Sequence, residues 1–169
     1  MSKKPETSEH LVEARKSPIH GMGVFALKRI PKGCRIIEYK GQRVRWADHA
    51  AEKRSHTELF HVSPTHVINP KRGGNIARYI NHSCAPSCEA ILEDGRVHIY
   101  ALRAIRPGEE LFYDYSLVLG RRFTRDDALR HRCRCGAPRC RGTLLDVPPS
   151  RRAQVRRWAR AATGAVHPV

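Results

Sequence analysis

Between Asn75 and Cys88 the chain reads NIARYINHSCAPSC, and no other stretch narrows the choice of fold as much. Ile76, Tyr79 and Ile80 form a short apolar ridge that runs directly into Asn81, His82, Ser83 and Cys84. Pro86 has no N–H and restricts the residue before it, so no helix continues through the polar run. Side chains that donate, accept or ligate are therefore fixed just behind a buried segment. That suits holding an amphiphilic ligand. Taken alone, a polar loop after a short helix accounts for the stretch equally well.

Around this stretch the chain reads as many short strands. Leu11–Arg15 fits a first strand, and Gly21-Met22-Gly23 is a two-glycine turn that feeds an apolar strand ending near Ala26. Glycines at this spacing allow close backbone approach to a ligand, although a tight hairpin is the commoner cause. Cys34–Tyr39 reads as a strand, Trp46–Ser55 as a short helix, and Leu59–Val62 and His66–Ile68 as short strands. Glu89–Leu92 and Arg96–Leu102 flank Asp94-Gly95, a strong hairpin signal. Val97, Ile99 and Ala101 alternate with polar neighbours, which buries one face of that strand. The pattern Ala26-Leu27-x-x-Ile30-x-x-Gly33 recurs as Ala101-Leu102-x-x-Ile105-x-x-Gly108. A duplicated unit and shared turn chemistry both explain this echo.

Two later segments carry chemistry. Phe112-Tyr113-Asp114-Tyr115 sets three aromatics around one carboxylate, fit either for an ordinary strand or for the wall of a narrow apolar channel. Cys133, Cys135 and Cys140 fall within eight residues, with Gly136 and Pro138 bending the loop between them. That spacing predicts a zinc knuckle supplying three thiolates of a tetrahedral set. The fourth ligand comes from elsewhere: Cys84 or Cys88, with His131 as the local competitor.

Lys plus Arg number 32 against 16 Asp plus Glu, a formal +16, with arginines crowded into 121–141 and 151–160. Such a field favours nucleic acid or an acidic protein face. An arginine-rich solvated surface explains it as well. Arg151–Ala162 reads as a helix whose Val155, Trp158, Ala159 and Ala162 stripe docks on the domain. No apolar run approaches the length of a membrane span. The polar start, MSKKPETSEH, lacks the apolar centre of a secretory signal, so an intracellular protein with reduced cysteines is expected, cytoplasmic in a bacterium or nuclear in a eukaryote.

With these pieces in order, the chain resembles the SET-domain protein lysine methyltransferases that carry a post-SET zinc motif. The resemblance spans about Leu11 to Gly142 and rests on Gly21-Met22-Gly23, Arg78–Cys84, Gly108–Tyr115 and Cys133–Cys140. It implies a mainly β fold of several small curved sheets with few short helices, in which the Asn-His-Ser-Cys and Asp-Tyr segments thread as a pseudoknot. The organisation expected is a disordered basic N-terminus (1–10), a SET domain (11–120), a post-SET zinc segment (121–145) and a basic C-terminal helix and tail (146–169).

The resemblance also implies roles. S-adenosylmethionine would be bound by Gly21, Met22, Gly23, Arg78, Asn81, His82 and Tyr115. Tyr115 matches the catalytic tyrosine, Tyr39 a channel aromatic, and Tyr113 a position linked to the number of methyls added. Cys84, Cys133, Cys135 and Cys140 would hold one structural Zn2+. The expected activity is transfer of one or two methyl groups to a lysine amine of a histone or other basic protein, by a monomer or weak homo-oligomer. Asn69 and Ser87 depart from the family pattern at positions with no expected ligand role. The alternative is a non-catalytic zinc module that binds nucleic acid through its basic segments; it leaves Tyr39, Asn81, His82, Tyr113 and Tyr115 idle.

Overall fold

The computed structural model describes residues 10–49 and 58–162. The chain forms two compact units: Met1–Asn81 with Ser87–Phe112, and His82–Pro86 with Tyr113–Val169. The expected disordered start falls outside the described residues, apart from His10.

The first unit is built of short antiparallel strands. β1 (Val12–Lys16) pairs with β2 (Met22–Ala26), from Val12 opposite Ala26 to Lys16 opposite Met22. β3 (Arg35–Glu38) pairs with β9 (Arg96–Ala101), and β9 with β8 (Cys88–Glu93). The β8–β9 hairpin turns at Asp94 (φ 47°) and Gly95 (φ 74°), the paired positive angles that suit the twist of the strands they join. Val97, Ile99 and Ala101 are buried, as their alternation predicts. β6 (His66–Asn69) lies between β4 (Gln42–Arg45) and β5 (Phe60–His61). β4 has no alternating signature, since Val44 is its only apolar residue; pairing with β6 defines it. Helix α1 covers Trp46–His49, and 50–55, the rest of the helix expected there, lie outside the described residues.

The sequence echo has a structural counterpart. Ile30 and Ile105 exchange both backbone hydrogen bonds at 2.9 Å, Gly33 N donates to Ala101 O at 2.7 Å, and Gly108 N donates to Ala26 O at 2.7 Å. Each copy thus donates to the other at matching positions. Ile30 and Ile105 are fully buried, as are Val24, Ile36, Ile99 and Leu111.

A 3-10 turn, Ile76–Tyr79, follows Asn75, whose side chain accepts from Ala77 N. The chain then passes from the first unit to the second within β7 (Asn81–His82), and again within β10 (Phe112–Tyr113). Of Phe112–Tyr115, open in sequence between strand and channel wall, Phe112 and Tyr113 form a strand.

In the second unit Ser83 N donates to Tyr113 O at 3.2 Å, so the His-Ser-Cys and Asp-Tyr segments lie side by side. Helix α2 (Arg125–Arg130) occupies what reads in sequence as an arginine-rich connection. Thr124 Oγ accepts from Asp127 N, and the Asp127 carboxylate accepts from Thr124 N, a reciprocal cap that satisfies donors at the helix start. Helix α3 (Pro149–Ala161) begins with Pro at its first position. Its Val155 is buried with Ala128, Leu145 and Val147, and Trp158 packs on that cluster, as the stripe predicts.

Candidate functional site

In the first unit the Gly21-Met22-Gly23 turn is tied to Asn81. Gly21 takes a positive φ of 51°, and its carbonyl accepts from Ser17 N at 2.9 Å. Asn81 Nδ2 donates to Met22 O at 3.0 Å, to His20 O at 3.2 Å and to Glu110 Oε1 at 2.9 Å. Glu110 Oε2 accepts from Ser17 Oγ at 2.9 Å. A Cβ at Gly23 would lie 2.3 Å from Glu110 Oε1, so a larger residue there would displace that carboxylate.

Arg78 and Tyr39 converge elsewhere in this unit, on Glu58. Arg78 Nη2 pairs with Glu58 Oε2 at 2.8 Å, while Arg78 Nε is buried without a partner among the described residues. Tyr39 is buried, donates through its hydroxyl to Glu58 O and packs against Phe60 with ring centroids 5.4 Å apart. Neither Glu58 nor Glu110 stands out in sequence. Glu110 sits in a Gly-Glu-Glu turn and Glu58 before a two-residue strand, where no periodicity marks a buried carboxylate.

The second unit gathers the remaining candidates. Tyr115 N donates to His82 Nδ1 at 3.1 Å, and the His82 and Tyr115 rings meet edge to face at 5.3 Å. Tyr113, buried, lies 4.8 Å from Tyr115 between centroids. Between the two tyrosines, Asp114 receives a forked pair of hydrogen bonds from Arg141, one of 2.6 Å. Burial alone would raise the Asp114 carboxyl, but the Arg141 hydrogen bonds and charge outweigh it and hold the group below the usual carboxylate range.

The four predicted cysteines lie within this unit. Cys84 Sγ is 3.9 Å from both Cys133 Sγ and Cys140 Sγ. Tetrahedral zinc with bonds of about 2.3 Å sets its sulfurs about 3.8 Å apart, so these separations fit the ion. Each sulfur also accepts a backbone N–H: Cys84 from Arg141, Cys133 from Cys135, Cys135 from Cys84 and Cys140 from Gly142, at 3.4–3.5 Å. Such donors stabilise thiolates. Hydrogen bonding from Cys133, with help from His82, pulls the Cys84 thiol down to about 3, and burial pushes Cys140 up to about 11. Cys88, the other candidate for a fourth ligand, belongs to the first unit and is fully buried in β8. His131 is turned to its own helix end, with Nδ1 2.9 Å from Asp127 O.

His82 is a competitor that the sequence does not flag as a metal ligand. Its donor atom and those of Cys84, Cys133 and Cys135 lie within 4.8 Å of one another, and its Nε2 is 3.3 Å from Cys84 Sγ. The Tyr115 amide decides its role. Nδ1 accepts that N–H, so the neutral ring carries its proton on Nε2 and donates it to the sulfur. The 3.5 Å approach of Asp114 Oδ1 to Nδ1 would need a proton there, which the closer amide opposes.

The family model described as SET domain matches residues 21–116. A Candida albicans protein, "Histone-lysine N-methyltransferase, H3 lysine-4 specific", is 43% identical over 140 residues, covering 76% of this chain and 13% of its own length. An Eremothecium gossypii protein of the same name is 44% identical over 140 residues, 76% of this chain and 14% of its own. "Histone-lysine N-methyltransferase TRX1" of Oryza sativa subsp. japonica is 41% identical over 144 residues, 78% of this chain and 13% of its own. The chain therefore spans about an eighth of these relatives' length. On the matched residues and these identities, the chain belongs to the SET-domain family.

Proposed function

We propose that the protein is an S-adenosylmethionine-dependent protein-lysine methyltransferase that adds mainly one or two methyl groups. The observation that carries this reading is Asn81, anchored to the Gly21–Gly23 turn and followed directly by His82, which the Tyr115 amide fixes. Family membership and the histone-directed names of the relatives support a histone or other basic protein as substrate.

The donor supplies a methyl group on a sulfonium sulfur. The chain's residues have to bind and orient it and deliver a neutral amine, because alignment provides most of the acceleration in such a displacement. Gly21, Met22, Gly23, Asn81 and His82 are assigned to the donor, and Arg78 to its periphery through the guanidinium held at Glu58. Tyr39, Tyr113 and Tyr115 are assigned to the lysine channel. An apolar aromatic wall disfavours the ammonium form of a lysine, whose free pKa is about 10.4. Tyr115 positions the reacting groups by its hydroxyl, and the amine proton leaves to water.

Cys84, Cys133, Cys135 and Cys140 are assigned as the zinc set, with His82 as hydrogen-bond donor to Cys84. Arg141, next to Cys140, grips Asp114 between the two tyrosines. A zinc ion held by these cysteines would brace the loop that carries Arg141, and through Asp114 the two tyrosines beside it.

A nucleic-acid partner is also proposed. Beyond Lys71 every Lys/Arg position is arginine, a side chain suited to phosphate that offers a lysine-directed enzyme nothing to methylate. The non-catalytic alternative uses these arginines but gives Asn81, His82 and Tyr115 no task. Incubation with radiolabelled donor and core histones tests the main reading. Label on a histone lysine, lost in Tyr115→Phe, supports it; unlabelled histones and cell extract would reject it.

A further inference from the structure

Glu110 is a buried carboxylate, 8% exposed, whose oxygens are held by neutral donors, Ser17 Oγ and Asn81 Nδ2, each at 2.9 Å. Burying a carboxylate with neutral partners is costly, so folding alone is a poor reason for it. Gly23 leaves the space it occupies, since a Cβ would lie 2.3 Å from Oε1.

Its consequence falls on Asn81. A side-chain amide carries its donor and its acceptor on opposite edges. Here the donor edge faces three acceptors: Glu110 Oε1, Met22 O and His20 O. The flipped amide would set Oδ1 against a carboxylate and two carbonyls. Oδ1 is therefore turned away from them, and it has no donor among the described residues. An acceptor fixed beside a two-glycine turn is fitted to a cationic amine.

We infer that Glu110 is a positioning residue for the methyl donor, locking the Asn81 amide so that Oδ1 faces the donor's amino group. This rests on the donor site proposed above. Glu110 itself exchanges no proton and touches no reacting atom. Through Ser17 the same carboxylate holds the turn in register with Asn81.

Calorimetric titration with S-adenosylhomocysteine, which keeps that amino group, tests the inference. Glu110→Ala should weaken binding about tenfold, the order expected when a charge-assisted hydrogen bond is lost. Glu110→Gln, which keeps an oxygen for Asn81, should recover most of the loss. The double variant with Asn81→Ala should bind no more weakly than Asn81→Ala alone, because Glu110 acts through it. In turnover, KM for the donor should rise while KM for the lysine peptide stays unchanged, a split that general loss of structure would not give. Should Glu110→Ala not fold, Glu110→Asp carries the same expectation, since it withdraws the carboxylate by one methylene. Wild-type affinity in the folded variant, or additive losses in the double variant, would overturn the inference alone. A wild-type protein that bound no S-adenosylhomocysteine would overturn the donor site and this inference together.

Discussion

Tyr113, His82 and Asp114 each carry a prediction that a single substitution can reach. Tyr113 is buried against Tyr115, and its hydroxyl can hold a water where an extra methyl would sit. Tyr113→Phe should shift the product toward higher methylation by mass spectrometry; an unchanged product distribution would remove Tyr113 from that role. The tautomer of His82 makes it a donor to sulfur, and the proposed zinc set takes Cys140 as its fourth ligand. Elemental analysis should find one zinc per chain in His82→Gln and a large loss in Cys140→Ser; the reverse pattern would make the histidine the ligand. Asp114, held low by Arg141, has a folded pKa below the unfolded value of about 3.9. Its contribution is complete above that value and fades as pH falls through the folded one. Asp114→Asn should therefore lower the melting temperature more at neutral pH than in acid, and equal losses at both would contradict the pairing.

Elements differ in how openly the sequence declares them. The β8–β9 hairpin is legible because Asp94-Gly95 can adopt two positive φ angles and because Val97, Ile99 and Ala101 alternate. Helix α3 is legible because Val155 and Trp158 share one stripe. β4 and α2 are not. β4 is polar except for Val44 and takes its conformation from β6, and α2 is only 6 residues long, too short for a helical period to repeat. The local signal for α2 is its cap, Thr124 followed three residues later by Asp127, hidden among arginines. Removing it with Thr124→Ala should cost about 1 kcal/mol in chemical denaturation. A change of zero would mean that Arg121, which grips Asp127 at 2.7 and 2.9 Å, holds the helix start by itself. The candidate site was readable for the opposite reason: asparagine, histidine, tyrosine and cysteine keep their identity wherever the chain carries them. What stayed hidden were the partners of the carboxylates, Asn81 for Glu110, Arg78 for Glu58 and Arg141 for Asp114, because each pairing joins residues far apart in the chain.

At the scale of the whole molecule, a formal +16 opposes capture of a basic substrate in free solution. A nucleic acid that binds both would bring them together, so DNA should stimulate methylation of histones at low salt, and the stimulation should fall steeply as salt rises. A rate indifferent to both would leave the arginines as a solvated surface. No helix among the described residues is long and apolar enough to cross a membrane. The most direct measurement is mass spectrometry of a histone H3 sample incubated with the protein and S-adenosylmethionine, run beside Asn81→Ala and Tyr115→Phe. One or two methyl groups on a lysine with the wild type, and none with either variant of intact fold, is the result predicted. Unmodified lysines with the wild type, or equal methylation by all three proteins, would contradict it.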